Sequence, residues 1–179
     1  MSATASMLDR PIHHVGYSVA DLSAAIAHFR DALGVGPFLV FEDITFDEAT
    51  HLGAPLVFEH SAGFAKWGPI FIELQEINAA SPPAVASVLR AGEGAVVNHT
   101  AYLSSTPEED SAQLEKLGMP AVLHLRSGPI VEWIHSSPLG HAIEVHTASA
   151  FLDGFFAAVA EAADGWDGRD AVRVMSQPR

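Results

Sequence analysis

An internal repeat is the sequence feature that most constrains the fold. The segment HVGYSVADLSAAIAHFRDALG, residues 14–34, aligns with HTAYLSSTPEEDSAQLEKLG, residues 99–118. Each segment begins His-x-x-Tyr in a strand-like pattern, continues into a polar helix start and ends in Leu-Gly. Because a repeated segment of this size corresponds to one unit of supersecondary structure, the sequence predicts two related modules.

Three short strand-like runs follow each predicted helix. They read PFLVFED, PLVFEHSA and PIFIELQEI in the first half, and AVLHLR, IVEWIHS and HAIEVHT in the second. Asp21 and Thr106 are expected to start the two helices, and Gly34 and Gly118 to end them. Each half is therefore predicted to run strand–helix–strand–strand–strand, over about residues 11–77 and 96–147. The linker NAASPPAVASVLRAGEGA between them has room for one short helical turn.

The C-terminal segment, residues 149–179, is expected to form a helix and a tail outside a single domain that spans residues 1–148. The helix has one apolar face, which carries Phe151, Leu152, Phe155, Phe156 and Val159. An apolar stripe of this kind packs against another surface. We expect it to pack on the domain or to join two copies in a homodimer.

Composition limits the partners. Nine Lys and Arg stand against 22 Asp and Glu, for a net charge of −13, which disfavours nucleic acid and anionic membranes. No apolar run approaches the ~20 residues that span a bilayer, and the first residues lack the pattern of a signal peptide, so a cytoplasmic location is expected. The chain has no cysteine, so a metal would be held by His, Asp or Glu.

Two histidines occupy equivalent strand positions of the two halves. In IHHVGYSVADL, alternation puts His14 on one face with Gly16 and Ser18. His13 is expected on the other face, beside bulky apolar residues. His99 likewise shares its face with Val97 and Ala101. These small neighbours leave room for a further side chain or a ligand beside each imidazole.

The last strand of each half supplies a matching carboxylate. Glu73 lies between Ile72 and Leu74, and Glu144 lies in HAIEVHT. A glutamate in an apolar strand is expensive to bury unless its charge is balanced. A single one would be explained by a solvent-facing position, but two that match two histidines favour a shared metal site.

These motifs resemble the vicinal oxygen chelate superfamily, which includes glyoxalase I, methylmalonyl-CoA epimerase, extradiol dioxygenases and bleomycin-resistance proteins. The resemblance rests on IHHVGYSVADL, FIELQEI, VNHTAYL and GHAIEVH, and covers residues 11–147. It implies an α+β fold in which two tandem βαβββ modules form a cupped, incomplete mixed β-barrel. It also implies one metal ligand from the first and last strand of each module: His14, Glu73, His99 and Glu144.

Two imidazoles and two carboxylates suit one divalent ion, Zn²⁺, Ni²⁺, Co²⁺, Mn²⁺ or Fe²⁺. The resemblance then implies an isomerase, epimerase or lyase that moves a proton next to a carbonyl, with a metal-stabilised enolate and Glu144 or Glu73 as the base. An extradiol-type dioxygenase is an alternative, although such enzymes typically use two His and one carboxylate. A non-catalytic binding protein is another, although it has no need of four ligands.

The substrate is expected to be a small, fairly apolar carbonyl compound, because cationic anchors for glutathione or coenzyme A thioesters are scarce. The candidate pocket wall consists of Phe41, Phe58, Trp67, Phe71 and Trp133, with Phe64 as a further aromatic candidate. A long excursion between Phe41 and Trp67 is expected to form a lid or a wall. His146 shares a face with Glu144 and is a candidate partner of the ligands or proton shuttle. No role is predicted for the remaining histidines, 28, 51, 60, 124, 135 and 141.

Overall fold

A computed structural model describes residues 10–176, which form one curved mixed sheet of eleven strands and four helices. The strands are β1 His14–Val19, β2 Phe38–Ile44, β3 Glu48–His51, β4 Ala54–Pro55, β5 Val57–Trp67, β6 Ile70–Ser81, β7 Val96–Ser104, β8 Ala121–Ser127, β9 Ile130–His135, β10 Ala142–Thr147 and β11 Val172–Val174. The helices are α1 Leu22–Leu33, α2 Pro83–Val88, α3 Pro107–Lys116 and α4 Ala150–Ala163.

The two halves of the sheet have the same strand order. The full order is β11-β2-β5-β6-β1-β7-β10-β9-β8-β3-β4, so β2-β5-β6-β1 in one half matches β8-β9-β10-β7 in the other. The halves meet where β1 pairs antiparallel with β7. Because β11 and β4 lie at opposite ends of this order, the sheet curls without closing, and the predicted α+β fold with a cupped, incomplete barrel is confirmed.

Helix α1 covers the outer face of the first half. It buries Leu22, Ile26 and Phe29 against Val19, with Tyr17 packed alongside. The carboxylate of Asp21 accepts a hydrogen bond from the amide of Ala24 (2.8 Å), as an N-terminal cap does. This burial fixes the strand parity that directs His14 to the opposite face.

The long excursion of the first half extends the sheet of the second. Its strand β3 pairs antiparallel with β8, with Thr50 opposite His124, and β4 then pairs with β3. The linker between the halves contains α2, the predicted helical turn, which buries Val85 and Leu89 against Phe58. Both connections therefore pack the two halves together.

Helix α4 crosses the concave face of the sheet. The hydroxyl of Ser149 caps it by accepting from the amide of Leu152 (3.3 Å). The apolar face predicted from the sequence packs on its own chain, since Leu152, Phe156 and Val159 are buried with Leu39. This face therefore packs on the domain, one of the two roles expected for it.

The chain after α4 returns to the first half. The indole of Trp166 lies against Gly36, where a Cβ atom would stand 2.7 Å from the ring. Strand β11 then pairs parallel with β2, with Val172 opposite Phe38. Helix α4 is thus attached at one end to β10 of the second half and at the other to β2 of the first. None of the helices in the described part of the chain is long and apolar enough to cross a membrane.

Candidate metal centre

The four central strands bring the predicted ligands together on the concave face. On one rung of the sheet, Gly16 is the register partner of both Glu73 and His99. Two residues away, Ala101 is the partner of both His14 and Glu144. Each imidazole or carboxylate is therefore next to a small residue on the neighbouring strand, and the four side chains lean over Gly16 and Ala101 toward one another.

The distances show how tightly the cluster converges. The Nε2 atom of His99 lies 3.2 Å from Glu73 Oε2 and 3.4 Å from Glu144 Oε2. The Nε2 atom of His14 lies 3.5 Å from Glu73 Oε2 and 4.0 Å from Glu144 Oε1. Ligand atoms of His14, His99 and Glu144 all lie within 4.8 Å of one another. All four side chains are buried, and the most exposed residue, Glu73, retains 5% of its surface.

Gly16 makes room for His99. A Cβ atom at position 16 would stand 2.1, 2.3 and 2.6 Å from three atoms of the His99 ring. Such separations lie far inside ordinary van der Waals contact, so no larger residue fits while the ring keeps its place. The small neighbours noted in the sequence are thus the residues that admit the imidazoles.

The donor set fits a divalent cation. Two ligand atoms that are each about 2.1 Å from one ion stand about 3.0–3.4 Å apart in octahedral or tetrahedral geometry, close to the separations in the cluster. The His99 Nε2 atom is also buried without a hydrogen-bond partner, because Glu73 approaches it outside hydrogen-bond geometry. A buried donor or acceptor without a partner costs free energy, and a bound ion removes that cost.

Electrostatics also favour positive charge at this point. Burial raises the pKa of Glu144. Burial acts in the same direction on Glu73, but contacts from His14 and His99 outweigh it and hold the pKa of Glu73 well below its usual range. Burial disfavours a charged His99, yet Glu144 and Glu73 outweigh it and raise the pKa of His99 to about 9. The same two carboxylates that favour a proton on His99 also favour a metal cation at this point.

Neighbouring side chains position the cluster. The amide nitrogen of Gln75 donates to Glu73 Oε1 (3.2 Å). The ring of His13 lies with Nδ1 3.0 Å from Nδ1 of His14 and packs edge-on against Phe156. The expectation that His13 faces away from the site was wrong, because His13 precedes β1 and the strand alternation does not extend to it. Burial and the nearby His14 lower the pKa of His13 to about 4.

A cavity of about 160 Å³ adjoins the cluster, with His14, Glu73 and Glu144 in its wall. One side is apolar and is formed largely by α4, through Phe151, Leu152, Phe155 and Phe156. The excursion of the first half supplies another part of the wall, including Ile44, Thr45 and Phe46. The excursion is therefore a wall, one of the two roles expected for it.

Among the aromatics expected in the pocket wall, Phe41 and Phe64 line the cavity. The other four lie elsewhere. Phe58 packs under α2, Trp67 lies at the end of β5 against Phe29, and Trp133 stacks on His124 near the outer face. Phe71 packs against Phe156 behind the cavity wall. The sequence placed these four residues in strands, but alternation does not show which residues of a strand lie next to a cavity and which are covered by other elements.

Three cavity residues were missed or undervalued in the sequence. Glu132 of β9 lies directly opposite His146 of β10, with His146 Nε2 3.0 Å from Glu132 Oε1. His60, for which no role was predicted, lies in the wall, and burial lowers its pKa. Burial disfavours the charged form of His146, but Glu132 and Glu144 outweigh it and raise the pKa of His146 to about 9. Ligand atoms of His146 and Glu144 lie within 4.8 Å of each other, and the role of His146 as a partner of the ligands or proton shuttle stays a prediction.

Comparison with protein families gives one match. The model described as "Glyoxalase/Bleomycin resistance protein/Dioxygenase superfamily" matches residues 13–129, more than half of the chain. No curated protein sequence matches significantly.

Solved structures share the fold. A hypothetical protein from Bacillus halodurans C-125 is 17% identical with a TM-score of 0.56, over 79% of this chain and 96% of that one. Methylmalonyl-CoA epimerase from Mycobacterium tuberculosis is 21% identical with a TM-score of 0.50, over 86% and 97%. A mutant 4-hydroxymandelate synthase from Streptomyces coelicolor is 18% identical with a TM-score of 0.50, over 85% of this chain and 54% of that one. At these identities the likeness shows the fold alone.

Proposed function

We propose a function from the premise that this chain belongs to the glyoxalase/bleomycin resistance protein/dioxygenase superfamily, as the resemblance of its motifs predicted. The protein is a metal-dependent enzyme that transfers a proton at a carbon next to a carbonyl group. It acts as an isomerase, epimerase or lyase on a small, fairly apolar substrate.

The observation that supports this proposal is the convergence of His14, Glu73, His99 and Glu144 at one buried point beside a cavity. A divalent ion held by these four residues supplies a Lewis acid that stabilises negative charge on the substrate's oxygen atoms. The candidate ions are Zn²⁺, Ni²⁺, Co²⁺, Mn²⁺ and Fe²⁺, all of which accept imidazole and carboxylate ligands.

The two glutamates differ in how firmly they are held. Glu73 accepts a hydrogen bond from Gln75, which fixes the orientation of its carboxylate. For Glu144, the described part of the chain shows contacts with the two imidazoles but no hydrogen bond of this kind. We therefore assign Glu144 as the base that takes the proton and Glu73 as the fixed ligand. The Phe155 and Phe156 rings line the opposite side of the cavity, where they would limit the access of water to the reacting carbon.

The cavity limits the substrate. Its volume of about 160 Å³ is comparable to the roughly 150 Å³ cavity that accepts benzene in an engineered protein. None of the described residues in its wall is Lys or Arg, and the His146 imidazole already faces Glu132 at 3.0 Å, so no unpaired cationic side chain among them balances a phosphate or carboxylate of the substrate. The site suits a compact, uncharged carbonyl compound. The homodimer and the cytoplasmic location stay predictions from the sequence.

Metal analysis of protein purified without added metal tests the first half of the proposal. We expect about one equivalent of a first-row ion per chain, lost in His14→Ala and Glu144→Ala and retained in His28→Ala, which removes an exposed imidazole from α1. Protein that holds no first-row ion in any preparation would contradict the proposal and favour a non-catalytic binding protein.

Isotope exchange tests the reaction. Small uncharged ketones and hydroxyketones are incubated with metal-loaded protein in D₂O while oxygen consumption is recorded. We expect deuterium to enter next to the carbonyl without uptake of oxygen, and Glu144→Gln to abolish the exchange. Oxygen uptake with ring cleavage of a catechol would instead identify a dioxygenase.

A further inference from the structure

One side of the cavity has no part in the proposed proton transfer, apart from the hydrogen bond by which Gln75 orients Glu73. It consists of Glu132 and His146 from β9 and β10, with His60 and Gln75 from β5 and β6. These polar side chains face the phenylalanines of α4 across the cavity. A purely apolar substrate would leave all four without a ligand.

Glu132 is held in place with acceptor capacity to spare. Its Oε1 atom lies 3.0 Å from His146 Nε2, and a fifth of its side-chain surface (20%) stays exposed. A carboxylate has about four acceptor positions, and the contact with His146 uses one. Glu132 is thus a fixed acceptor in the cavity wall.

His60 and Gln75 give an independent indication of a polar ligand. Only 5% of His60 and 6% of Gln75 is exposed, yet His60 Nδ1 and Gln75 Oε1 have no hydrogen-bond partner. Stacking against Phe58 at 4.7 Å and Phe46 at 5.8 Å fixes the His60 ring. Buried polar atoms without a partner are rare and costly in folded proteins, and two of them belong to side chains of the same cavity.

We propose that Glu132, with His60 and Gln75 beside it, forms a subsite that binds a hydrogen-bond-donating group of the substrate, a hydroxyl or an N–H. This inference rests on the proposed function, because the same cavity serves both. Ligand atoms of Glu132 and Glu144 lie within 4.8 Å of each other. The hydroxyl or N–H of the substrate would therefore be only one or two covalent bonds away from the substrate oxygens that lie at the metal cluster. The substrate class is an uncharged hydroxy- or amido-carbonyl compound whose apolar part lies on Phe155 and Phe156.

A pair of isosteric probes tests the subsite without knowledge of the substrate. Benzyl alcohol and ethylbenzene have nearly the same shape, and only the alcohol donates a hydrogen bond. Dissociation constants are measured by ligand-observed NMR for the full chain, both metal-free and with one equivalent of Zn²⁺. A hydroxyl buried without an acceptor weakens binding, whereas one bonded to a carboxylate strengthens it. We expect the alcohol to bind about tenfold more tightly than ethylbenzene.

Substitutions of Glu132 test whether this residue causes the preference for benzyl alcohol over ethylbenzene. Glu132→Leu is expected to abolish or reverse it, and Glu132→Gln, which retains an acceptor oxygen, to keep part of it. The matched control Glu108→Leu removes an exposed carboxylate from α3 and is expected to leave the preference unchanged. Ethylbenzene binding reports in each variant whether the cavity is intact, and Glu132→Gln carries the test if Glu132→Leu does not fold.

The result separates this inference from the proposed function. Equal binding of the two probes by the unsubstituted protein, a preference that persists in Glu132→Leu, or no binding of either probe would overturn the subsite. A metal equivalent found in the same preparation would leave the proposed function standing. Conversely, a preference that depends on Glu132 in protein that never takes up metal would support the subsite and count against the proposed chemistry.

Discussion

The substitution Gly16→Ala tests the geometry of the candidate metal centre with a single added methyl group. Gly16 lies in β1 outside the left-handed region of backbone conformation, so its backbone accepts alanine without strain. The new Cβ atom would stand 2.1 Å from Cε1 of His99, where ordinary contact begins at 3.4 Å. The ring must therefore move by about 1.3 Å, the difference between these distances.

His99 is fully buried, at 0% exposure, and overpacking of this kind costs about 1–3 kcal/mol. For a chain of this size each kcal/mol lowers Tm by about 2–4 °C, so we expect a fall of roughly 2–12 °C. Gly16→Ala should reduce the affinity for metal by a larger factor. Loss of a group that merely supports a ligand weakens affinity about 10- to 100-fold, so displacement of the ligand itself should weaken it at least 100-fold.

The assay is competition for Zn²⁺ against a fluorescent chelator, with Tm from circular dichroism. Gly154→Ala in α4 is the matched control, because a Cβ atom at that position meets nothing within 4 Å. This substitution should raise the free energy of unfolding by about 0.5–1 kcal/mol and leave the affinity for Zn²⁺ unchanged. In a His99→Ala background, Gly16→Ala should cost almost nothing, since the ring that it displaces is absent. Gly16→Ala protein with unchanged zinc affinity would refute the proposed role of His99.

Three further predictions concern stability. Chelation of the metal should lower Tm, because an ion at 1,000 times its Kd adds about 4 kcal/mol to folding; a Tm unchanged by chelator and restored metal would contradict a structural contribution from the site. Burial lowers the pKa of His135 from 6.5, and it stays neutral with Nδ1 2.8 Å from the carbonyl of Met119. The unfolded chain therefore binds the extra proton, and this group should lower stability below pH 6.5 by up to about 1.4 kcal/mol per pH unit; in urea titrations His135→Gln should make the pH dependence shallower by up to this slope while the contributions of His13 and His60 remain, whereas His28→Gln should leave the slope unchanged. Phe156→Ala should destabilise the fold by about 3 kcal/mol and open the cavity, and a chemical denaturation midpoint equal to that of the unsubstituted protein would show that α4 does not pack as described.

Local periodicity and the internal repeat predicted the order of elements and the matched faces of the histidines, whereas the cupped barrel and the set of four ligands were implied by the resemblance to a known superfamily. Alternation in β1 placed His14 on the face of Gly16, and the same alternation in β7 placed His99 on the face of Ala101. Successive side chains of a strand point to opposite faces of the sheet, so the residues that share a face can be predicted from the strand alone. Periodicity could not predict which glutamate acts as the base, because that assignment rests on the hydrogen bond from Gln75 to Glu73, which depends on side-chain geometry.

The polar side of the cavity was harder to find. Glu132 lies between apolar neighbours in IVEWIHS, the same signal that drew attention to Glu73, but it has no counterpart in the first half. Its pairing with His146 depends on the register of β9 and β10. For His60, a register irregularity between Glu59 and His60 breaks the alternation that would have placed it. Repeat matching finds what the two halves share and misses what is specific to one of them.

The attachment of α4 at both ends separates two tasks that many proteins combine in one region. The duplicated sheet presents the candidate ligands, whereas a segment outside the repeat supplies Phe155 and Phe156 opposite them. Substitution of Phe151 or Phe155 would therefore reshape the space available to a guest molecule, whereas Phe156, which packs on His13 and His14, helps to hold the ion-binding residues in place. A protein built this way can change what it accepts through part of its C-terminal helix, at little risk to the chemistry of its duplicated half-barrels.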